Sequence, residues 1–290
     1  MEFLSPATLD EALAAKAAHR DAVPIMGGTD VMVELNFDRR RPDVLLDLTR
    51  VTELREWDVV DGHVRLGAGV TYARVVDELG GHLPGLALAS RTVGSPQIRN
   101  RGTVGGNLGA ASPAGDAHPP LLAAFAEVEL ASAGGVRRVP AAEFYTGVKR
   151  HAGADDELVT AVWVPTATGP QQFSKIGTRN AMVIAVAAFA LALHPEERRV
   201  GTGIGSAAPT PRRAREAEDL LAGELDWEGR GALRETVAAE FGRLVAAAAD
   251  PIDDVRGTAA YRRHALGVMA RRCLGWAWAE QQDRHREGGH

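Results

Sequence analysis

Residues 95–116 form the part of this sequence that most restricts how the chain can fold. They read SPQIRNRGTVGGNLGAASPAGD, a run in which glycine, alanine, serine and proline are frequent and large apolar residues are few. Neither the alternation of a strand nor the apolar periodicity of a helix is present, so the region 94–120 is predicted to be rich in turns. A compact domain rarely contains so long a segment without packing residues unless the segment wraps a ligand. The stretch therefore predicts a ligand site.

Two glycine pairs indicate the chemistry of that ligand. The first lies in Met26-Gly-Gly-Thr-Asp30 and the second in Thr103-Val-Gly-Gly-Asn107, and each follows an apolar segment. Glycine permits positive φ and close approach of the backbone, so that successive N–H groups can converge on an anion. The hydroxyls of Thr29 and Thr103 would add donors, and the amide of Asn107 can donate to an oxygen without adding charge.

Each glycine pair taken alone is also compatible with an ordinary turn between a strand and a helix, which is the commoner role of such glycines. Neither pair has the spacing of the phosphate loop or of the Rossmann GxGxxG pattern. The run Gly201-Thr-Gly-Ile-Gly-Ser206 has a related spacing, but it lies in a strand-like segment with no helix after it. We interpret this third run as structural.

The apolar patterning predicts an α+β chain in three parts. Residues 1–55 contain a strand, a glycine turn and a helix, followed by a buried strand, and form a small α/β subdomain. Residues 56–168 form a larger α/β subdomain that includes a β-hairpin. Residues 169–290, which follow a linker at 166–172, contain three strands, at 173–176, 182–193 and 200–204, and three helices, at 212–221, 233–249 and 258–279.

Composition excludes several classes of protein. A net charge of −5 argues against a nucleic-acid-binding protein, which would carry a basic stripe. The longest apolar run, residues 181–193, is too short to span a bilayer, and the first residues do not have the pattern of a secretory signal. The single cysteine, Cys273, permits no intrachain disulfide, which fits the cytoplasm. One cysteine also cannot hold an iron–sulfur cluster, so any such centre is expected on a partner.

Several motifs in the same order resemble the FAD-binding subunit of the molybdenum hydroxylases, the family of xanthine dehydrogenase and carbon monoxide dehydrogenase. The motifs cover nearly the whole chain: GGTD at 27–30, QIRNRGTVGGN at 97–107, ASPAGD at 111–116, EFYTGVK at 143–149, FSK at 173–175, GSAAPTP at 205–211 and DVRGTAAYRR at 254–263. The resemblance implies a two-part PCMH-type FAD-binding domain, the small and the larger α/β subdomains, followed by a C-terminal antiparallel sheet with helices.

The resemblance also implies which residues bind the cofactor. Residues 24–31 and 103–107 would surround the FAD pyrophosphate, Asp116 would bind a ribityl or ribose hydroxyl, and Lys175 would lie near the cofactor. The smaller apolar residues Val93 and Val159 would contact it. The full predicted set is Pro24, Ile25, Met26, Gly27, Gly28, Thr29, Asp30, Val31, Val93, Thr103, Val104, Gly105, Gly106, Asn107, Asp116, Val159 and Lys175. No catalytic side chain and no metal ligand is predicted in this chain.

By the same resemblance, this subunit would take electrons from iron–sulfur clusters on a small partner subunit and pass them through FAD to NAD. Substrate oxidation would occur at a molybdopterin-binding large subunit, with xanthine as the first candidate substrate. A stand-alone FAD-dependent oxidoreductase that acts on its own small substrate is the alternative. A non-catalytic assembly module is a third hypothesis, but such a module would have no physical reason to keep these glycines.

Other polar residues have simpler interpretations. His118 and His151 lie in turn-like segments and are interpreted as surface histidines, and Cys273 as a core residue of a helix. Asp116 could instead cap a helix that begins near Pro119. Near the last helix, the side chains of Arg256, Arg262 and Arg263 are expected to fix that helix by salt bridges or to form the subunit interface.

Overall fold

A computed structural model describes residues 1–228 and 231–288 of the chain. Its α-helices are α1 (Leu9–Ala18), α2 (Val31–Asn36), α3 (Tyr72–Glu78), α4 (Pro84–Arg91), α5 (Pro96–Arg101), α6 (Val104–Ala110), α7 (His118–Ala123), α8 (Ala141–Phe144), α9 (Arg215–Glu224), α10 (Glu235–Ala248) and α11 (Ala259–Gly288). Its strands are β1 (Glu2–Leu4), β2 (Val23–Ile25), β3 (Val44–Asp47), β4 (Trp57–Val60), β5 (His63–Gly67), β6 (Glu127–Ser132), β7 (Gly135–Pro140), β8 (Tyr145–Gly147), β9 (Arg150–His151), β10 (Leu158–Pro165), β11 (Gln171–Ile176), β12 (Ala187–His194) and β13 (Arg199–Gly205).

The first residues form a small parallel sheet with the strand order β1-β3-β2. Helix α1 begins at a capping box, because Thr8 accepts a hydrogen bond from the amide of Glu11 and the Glu11 carboxylate accepts one from Ala7. Val44 and Leu46 of the central strand are buried against this helix. The first glycine turn, which connects β2 to α2, therefore lies at the carboxyl end of a parallel sheet.

The middle of the chain forms a five-stranded antiparallel sheet with the order β4-β5-β10-β6-β7. The predicted hairpin is β6 and β7, and its turn contains Gly135 at φ +141°. One face of this sheet packs on α3, α4, α6 and α7 around a core that includes Leu66, Leu108 and Phe144. This core supports the second glycine motif and the residues that follow it.

Region 94–120 is helical where turns were predicted. It contains α5 and α6 and the start of α7, each six or seven residues long. Two of these helices begin at a side-chain cap, Ser95 for α5 and Thr103 for α6. Val104 and Leu108 are fully buried, so packing against the five-stranded sheet stabilises glycine-rich helices that would not persist alone.

The last part of the chain contains the antiparallel sheet β11-β12-β13 and three helices, which confirms the predicted α+β class with a C-terminal antiparallel sheet. Strand β12 is buried on both faces. Phe189, Leu191 and neighbouring side chains face α9, α10 and α11, whereas three alanines face α4 and α7 of the preceding part. The small residues let the two layers approach closely.

Several predicted boundaries in this part differ from the structure. The helix predicted at 212–221 is Arg215–Glu224, and the first strand begins at Gln171, inside the predicted linker 166–172. The strand predicted at 182–193 begins only at Ala187, because Met182 adopts φ +51° and the preceding chain forms a bend. The last helix continues to Gly288, beyond the predicted end at residue 279. Within the described ranges, no helix is both long and apolar enough to cross a membrane.

Candidate functional site

The first glycine turn offers free backbone donors. Gly28 adopts φ +76°, in the left-handed region that favours glycine. Among the residues that the structure describes, no acceptor is bonded to the amide groups of residues 27–30. Asp30 is the N-cap residue of α2, but its carboxylate makes no capping hydrogen bond. The turn therefore presents four consecutive N–H groups to an oxygen-rich ligand.

The second glycine pair lies in the first turn of α6, and its amides are already bonded. The amide of Gly105 donates to the Ala68 carbonyl at 3.0 Å, and that of Gly106 donates to Thr103 Oγ1 at 2.9 Å. A Cβ on Gly105 would overlap Ala68, whereas a Cβ on Gly106 would approach only Thr103 Oγ1, at 2.9 Å. Gly105 thus allows α6 to pack closely on Ala68, and Gly106 leaves one face of α6 open. This differs from the expectation that the amides of both glycine turns are free.

The two turns lie side by side. A Cβ on Gly27 would overlap the carbonyl oxygen of Arg101, and a Cβ on Gly102 would lie 3.5 Å from Thr29 Oγ1. The amide of Tyr72 donates to the Gly102 carbonyl at 3.0 Å and holds the chain between α5 and α6 in place. Gly27 and Gly102, which are 75 positions apart in the sequence, thus contribute to one surface.

Asp116 and Lys175 form a buried ion pair beside this surface. Lys175 Nζ donates to Asp116 Oδ2 at 2.6 Å and to the Thr92 carbonyl at 3.0 Å. Only 7% of the lysine side chain and 9% of the aspartate side chain are exposed. Burial raises the pKa of Asp116, and Lys175 opposes that shift. Asp116 Oδ1 is buried with no hydrogen-bond partner in the described part of the chain, so it can accept a hydrogen bond from a ligand.

Asn107 connects the glycine turns with the Asp116 loop. It lies on α6, and its Oδ1 is buried without a partner among the described residues. A Cβ on Gly115, the residue before Asp116, would lie only 2.7 Å from this atom. The structure therefore places the first turn, α6 and the Asp116–Lys175 pair along one continuous surface.

His118 and Tyr145 lie beneath the Asp116 loop. His118 is fully buried, and its Nδ1 is 2.7 Å from the Tyr145 hydroxyl. Burial lowers the pKa of His118 to about 3, so its ring is neutral. The prediction of a surface histidine was wrong, because α7 turns this side chain into the core. The capping interpretation of Asp116 was also wrong, since α7 begins at His118 without a side-chain cap.

Lys149 lies beside the first glycine turn. It belongs to the hairpin of β8 and β9, and its Nζ donates to Glu34 Oε1 of α2 at 2.7 Å. This hydrogen bond lowers the pKa of Glu34. Burial raises the pKa of Asp30, and the positive charge of Lys149 opposes that shift. A cation therefore lies near the free amides.

The remaining predicted residues flank these groups. Pro24 and Ile25 form the end of β2, Val31 begins α2, and Val104 is fully buried in α6. Met26 and Val159 pack against one apolar cluster, although they are far apart in sequence. Val93 packs against the core of the five-stranded sheet, directly after Thr92, which contacts Lys175.

Known families match both halves of the chain. Residues 1–167 match the family described as the FAD binding domain in molybdopterin dehydrogenase, and residues 172–277 match the CO dehydrogenase flavoprotein C-terminal domain. The chain belongs to the FAD-binding subunits of the molybdenum hydroxylases. The resemblance drawn from the motifs is thereby confirmed, and this FAD-binding subunit is part of an oxidoreductase.

Relatives with different substrates resemble this FAD-binding subunit. It is 33% identical to the nicotinate dehydrogenase FAD-subunit of Eubacterium barkeri, over 77% of this chain and 79% of the relative. It is 31% identical to the nicotine 6-hydroxylase medium subunit of Paenarthrobacter nicotinovorans, over 94% of this chain and 96% of the relative. A putative xanthine dehydrogenase FAD-binding subunit of Escherichia coli K12 is 29% identical over 94% of each chain.

Solved structures share the fold. A structure of carbon monoxide dehydrogenase from Hydrogenophaga pseudoflava, which lacks the Mo-pyranopterin moiety of the molybdenum cofactor, superposes with a TM-score of 0.88. The sequences are 27% identical, and the match covers 97% of this chain and 98% of that one. The order of a FAD-binding domain followed by an antiparallel sheet with helices is therefore confirmed.

The surface of the FAD-binding subunit fits a diphosphate-linked cofactor. The free amides of residues 27–30 suit phosphate oxygens, and the partnerless oxygens of Asn107 and Asp116 suit polar groups of a ribityl chain or a ribose. The open face at Gly106 leaves room for close approach of a ligand. Buried polar atoms without partners usually mark a missing ligand or water, and two of those in the described residues belong to the predicted residues Asn107 and Asp116.

Sequence reasoning missed several residues of this region. Thr92, Tyr72 and His118 all contact or line it, but none belongs to a glycine motif. Tyr72 follows the N-cap Thr71 of α3, an ordinary helix start that carries no sign of a ligand. Only Lys149 had a signal, since it ends the motif EFYTGVK, although no role was predicted for it.

Proposed function

We propose that FAD binds along the surface formed by residues 24–31, residues 103–107, Asp116 and Lys175, with Val93 and Val159 as apolar contacts. The subunit would pass electrons from iron–sulfur clusters of a partner through FAD to NAD. FAD, when bound, supplies the exchange of single electrons and electron pairs. The side chains of this chain bind and orient the cofactor.

One observation carries this proposal: the two glycine turns, distant in sequence, lie side by side and open onto the partnerless oxygens of Asn107 and Asp116. An ordinary strand–helix turn would have no need of the free amides at residues 27–30. The division of the chain into residues 1–55, 56–168 and 169–290 belongs to the same proposal. Its support is that the three sheets of three or more strands, one parallel and two antiparallel, follow one another along the chain.

The proposed partners are a molybdopterin-binding large subunit and an iron–sulfur small subunit. Relatives named medium subunit or medium chain support an assembly of several subunits. Xanthine remains the proposed substrate, although relatives named for nicotinate and nicotine are at least as similar. The single cysteine supports a cytoplasmic location.

The direct test is the visible spectrum of the purified full-length chain before and after incubation with FAD. We expect flavin absorption bands that survive gel filtration. A colourless protein after incubation would contradict the proposed site. Co-purification with partner subunits, followed by assays with xanthine, nicotinate, nicotine and carbon monoxide, tests the substrate. Xanthine turnover is expected, and turnover of another compound alone would reject xanthine.

Gly106→Val tests where the cofactor lies. The new side chain would occupy the open face of α6 while meeting only Thr103 Oγ1 in the protein itself. We expect FAD affinity to fall by about tenfold to a hundredfold, the equivalent of 1–3 kcal/mol of steric overlap. Fluorescence titration of the flavin-free chain measures this affinity.

Gly275→Val is the matched control. Gly275 lies on an exposed face of α11, and no atom of residues 1–228 or 231–288 lies within 4 Å of its Cβ position. Both substitutions place valine in a helix, so their helix-propensity costs are similar. If the two variants bound FAD equally well, the face at Gly106 would not be part of the cofactor site.

NAD as the acceptor rests on the resemblance, and a separate measurement tests it. Anaerobic addition of NADH to the FAD-loaded chain should bleach the flavin absorption band. The FAD-loaded chain without NADH is the control for photoreduction. A band that stays unchanged at saturating NADH would reject NAD and point to another acceptor.

A further inference from the structure

Tyr72 is a buried tyrosine whose hydroxyl has no hydrogen-bond partner in the part of the chain that the structure describes. It is the first residue of α3, and its ring lies beneath Gly102, where a Cβ would come within 3.4 Å of Tyr72 Cδ2. Only 3% of the residue is exposed. No described residue lies within hydrogen-bonding distance of its hydroxyl oxygen.

The fold treats its other buried tyrosine of this region differently. The hydroxyl of Tyr145 lies 2.7 Å from His118 Nδ1 and is therefore satisfied inside the protein. A buried hydroxyl without a partner destabilises the folded chain, because it loses its hydrogen bonds to water. Such groups in native proteins commonly bond to a ligand or an ordered water.

The surroundings of Tyr72 indicate which ligand this is. A Cβ on Gly102 would lie 3.4 Å from Tyr72 Cδ2 and 3.5 Å from Thr29 Oγ1, so Tyr72 lies under the surface formed with the first glycine turn. Burial raises the pKa of Tyr72 well above its usual value, and the negative charges of Asp116 and Asp30 raise it further. The hydroxyl thus stays protonated and able to donate.

We propose that the Tyr72 hydroxyl donates a hydrogen bond to an oxygen of the ribityl–diphosphate chain of FAD. The inference rests on the proposed function, since it uses the same surface between the first glycine turn and Asp116. Tyr72 adds a neutral donor from the core side, whereas the amides of residues 27–30 donate from the turn. The site already contains the carboxylates of Asp30 and Asp116. A neutral donor suits it because the protonated tyrosine hydroxyl can donate to a phosphate oxygen.

Tyr72→Phe in the full-length chain tests the inference. FAD is removed, and the affinity of the flavin-free chain for added FAD is measured by fluorescence titration. We expect the variant to bind FAD about tenfold to a hundredfold more weakly than the wild type, the usual effect of losing a hydrogen bond to a charged oxygen. The thermal midpoint of the flavin-free variant should stay equal or rise, since the lost hydroxyl had no partner.

Thr166→Val is the matched control. Thr166 Oγ1 is a second buried hydroxyl without a partner in the described residues, but it lies after β10, where the Thr166 amide bonds to Gly62. This variant should bind FAD as the wild type does. FAD affinity of Tyr72→Phe within twofold of the wild type would overturn the inference, as would a lower thermal midpoint of its flavin-free form. A wild-type chain that binds no FAD would instead overturn the proposed function, and this inference with it.

Discussion

The charge and protonation of single residues around the site depend on groups that are distant in sequence. The Lys175 ammonium neutralises Asp116 across 59 positions and leaves Asp116 Oδ1 without a hydrogen-bond partner among the described residues. His118 is neutral because burial removes the water that would stabilise its charge. A buried neutral histidine makes stability depend on pH, since the unfolded chain can bind a proton that the folded chain cannot.

The pH dependence of unfolding should reveal His118. Its pKa is about 3 in the folded chain and about 6.5 when exposed, so its contribution to stability is present above pH 6.5 and is lost as pH falls. The slope in that window is about 1.4 kcal/mol per pH unit. Between pH 6.5 and pH 5, we therefore expect the free energy of unfolding of the wild type to fall by about 2 kcal/mol more than that of His118→Gln. Urea unfolding at each pH measures this difference.

His264→Gln is the control for this experiment. His264 is an exposed histidine on α11, and its replacement should keep the wild-type pH dependence. Identical pH profiles for wild type and His118→Gln would show that the ring of His118 can bind a proton in the folded chain.

At the scale of elements, one arginine connects α11 with the sheet it covers. Arg262 donates to the carbonyls of Val186 and Ser206 and, at 2.6 Å, to Asp254 Oδ1. Its side chain is only 4% exposed. Ser206 adopts φ +58° and its amide donates to Pro113, in the loop before Asp116, at 2.8 Å. The expected salt bridge from Arg262 is thus present, and it also fixes the turn next to the candidate site.

Replacing Arg262 should destabilise the C-terminal part. Arg262→Met leaves the carbonyls of Val186 and Ser206 without this donor and removes the ion pair with Asp254, which should lower the free energy of unfolding by about 3 kcal/mol. Arg263→Met, at the exposed neighbouring position, should change it by less than about 0.5 kcal/mol. Chemical denaturation of both variants measures the difference, and equal stabilities would mean that α11 is held by apolar packing alone.

At the scale of the whole molecule, glycines of β13 let the C-terminal sheet contact α7. A Cβ on Gly201 would overlap the carbonyl of Ala123, and one on Gly203 would overlap that of Pro119. The run Gly201–Ser206, which was predicted to have a structural role, therefore serves close packing. Since α7 directly follows the Asp116 loop, this contact also determines where Asp116 meets Lys175 of β11.

Gly203→Ala should separate these layers slightly. The added methyl group has no space against Pro119, so we expect a loss of about 2 kcal/mol in the free energy of unfolding. FAD affinity should fall as well, because Asp116 and Lys175 lie on opposite sides of this contact. Gly223→Ala, on an open face of α9, should instead be neutral or stabilise the chain by up to about 1 kcal/mol. Equal thermal midpoints for the two variants would contradict this account.

The sequence by itself determined the order of the strands and longer helices, because apolar periodicity and capping residues act over a few neighbouring positions. It also predicted the glycine turns, Asp116 and Lys175 as cofactor-binding residues, since a motif is visible without any packing. Cys273 was correctly assigned to the core of α11 for the same reason: its neighbours on the helix are apolar.

Only the tertiary structure decided the rest. The helices α5, α6 and α7 are too short to form alone: α6 and α7 pack on the five-stranded sheet, and α5 packs on α3. The contact of His118 with Tyr145, the burial of Tyr72 beneath Gly102 and the bond from the Gly105 amide to Ala68 join groups 27 or more positions apart. Hydrogen bonding and burial are properties of neighbours in space, and a local pattern contains no information about them.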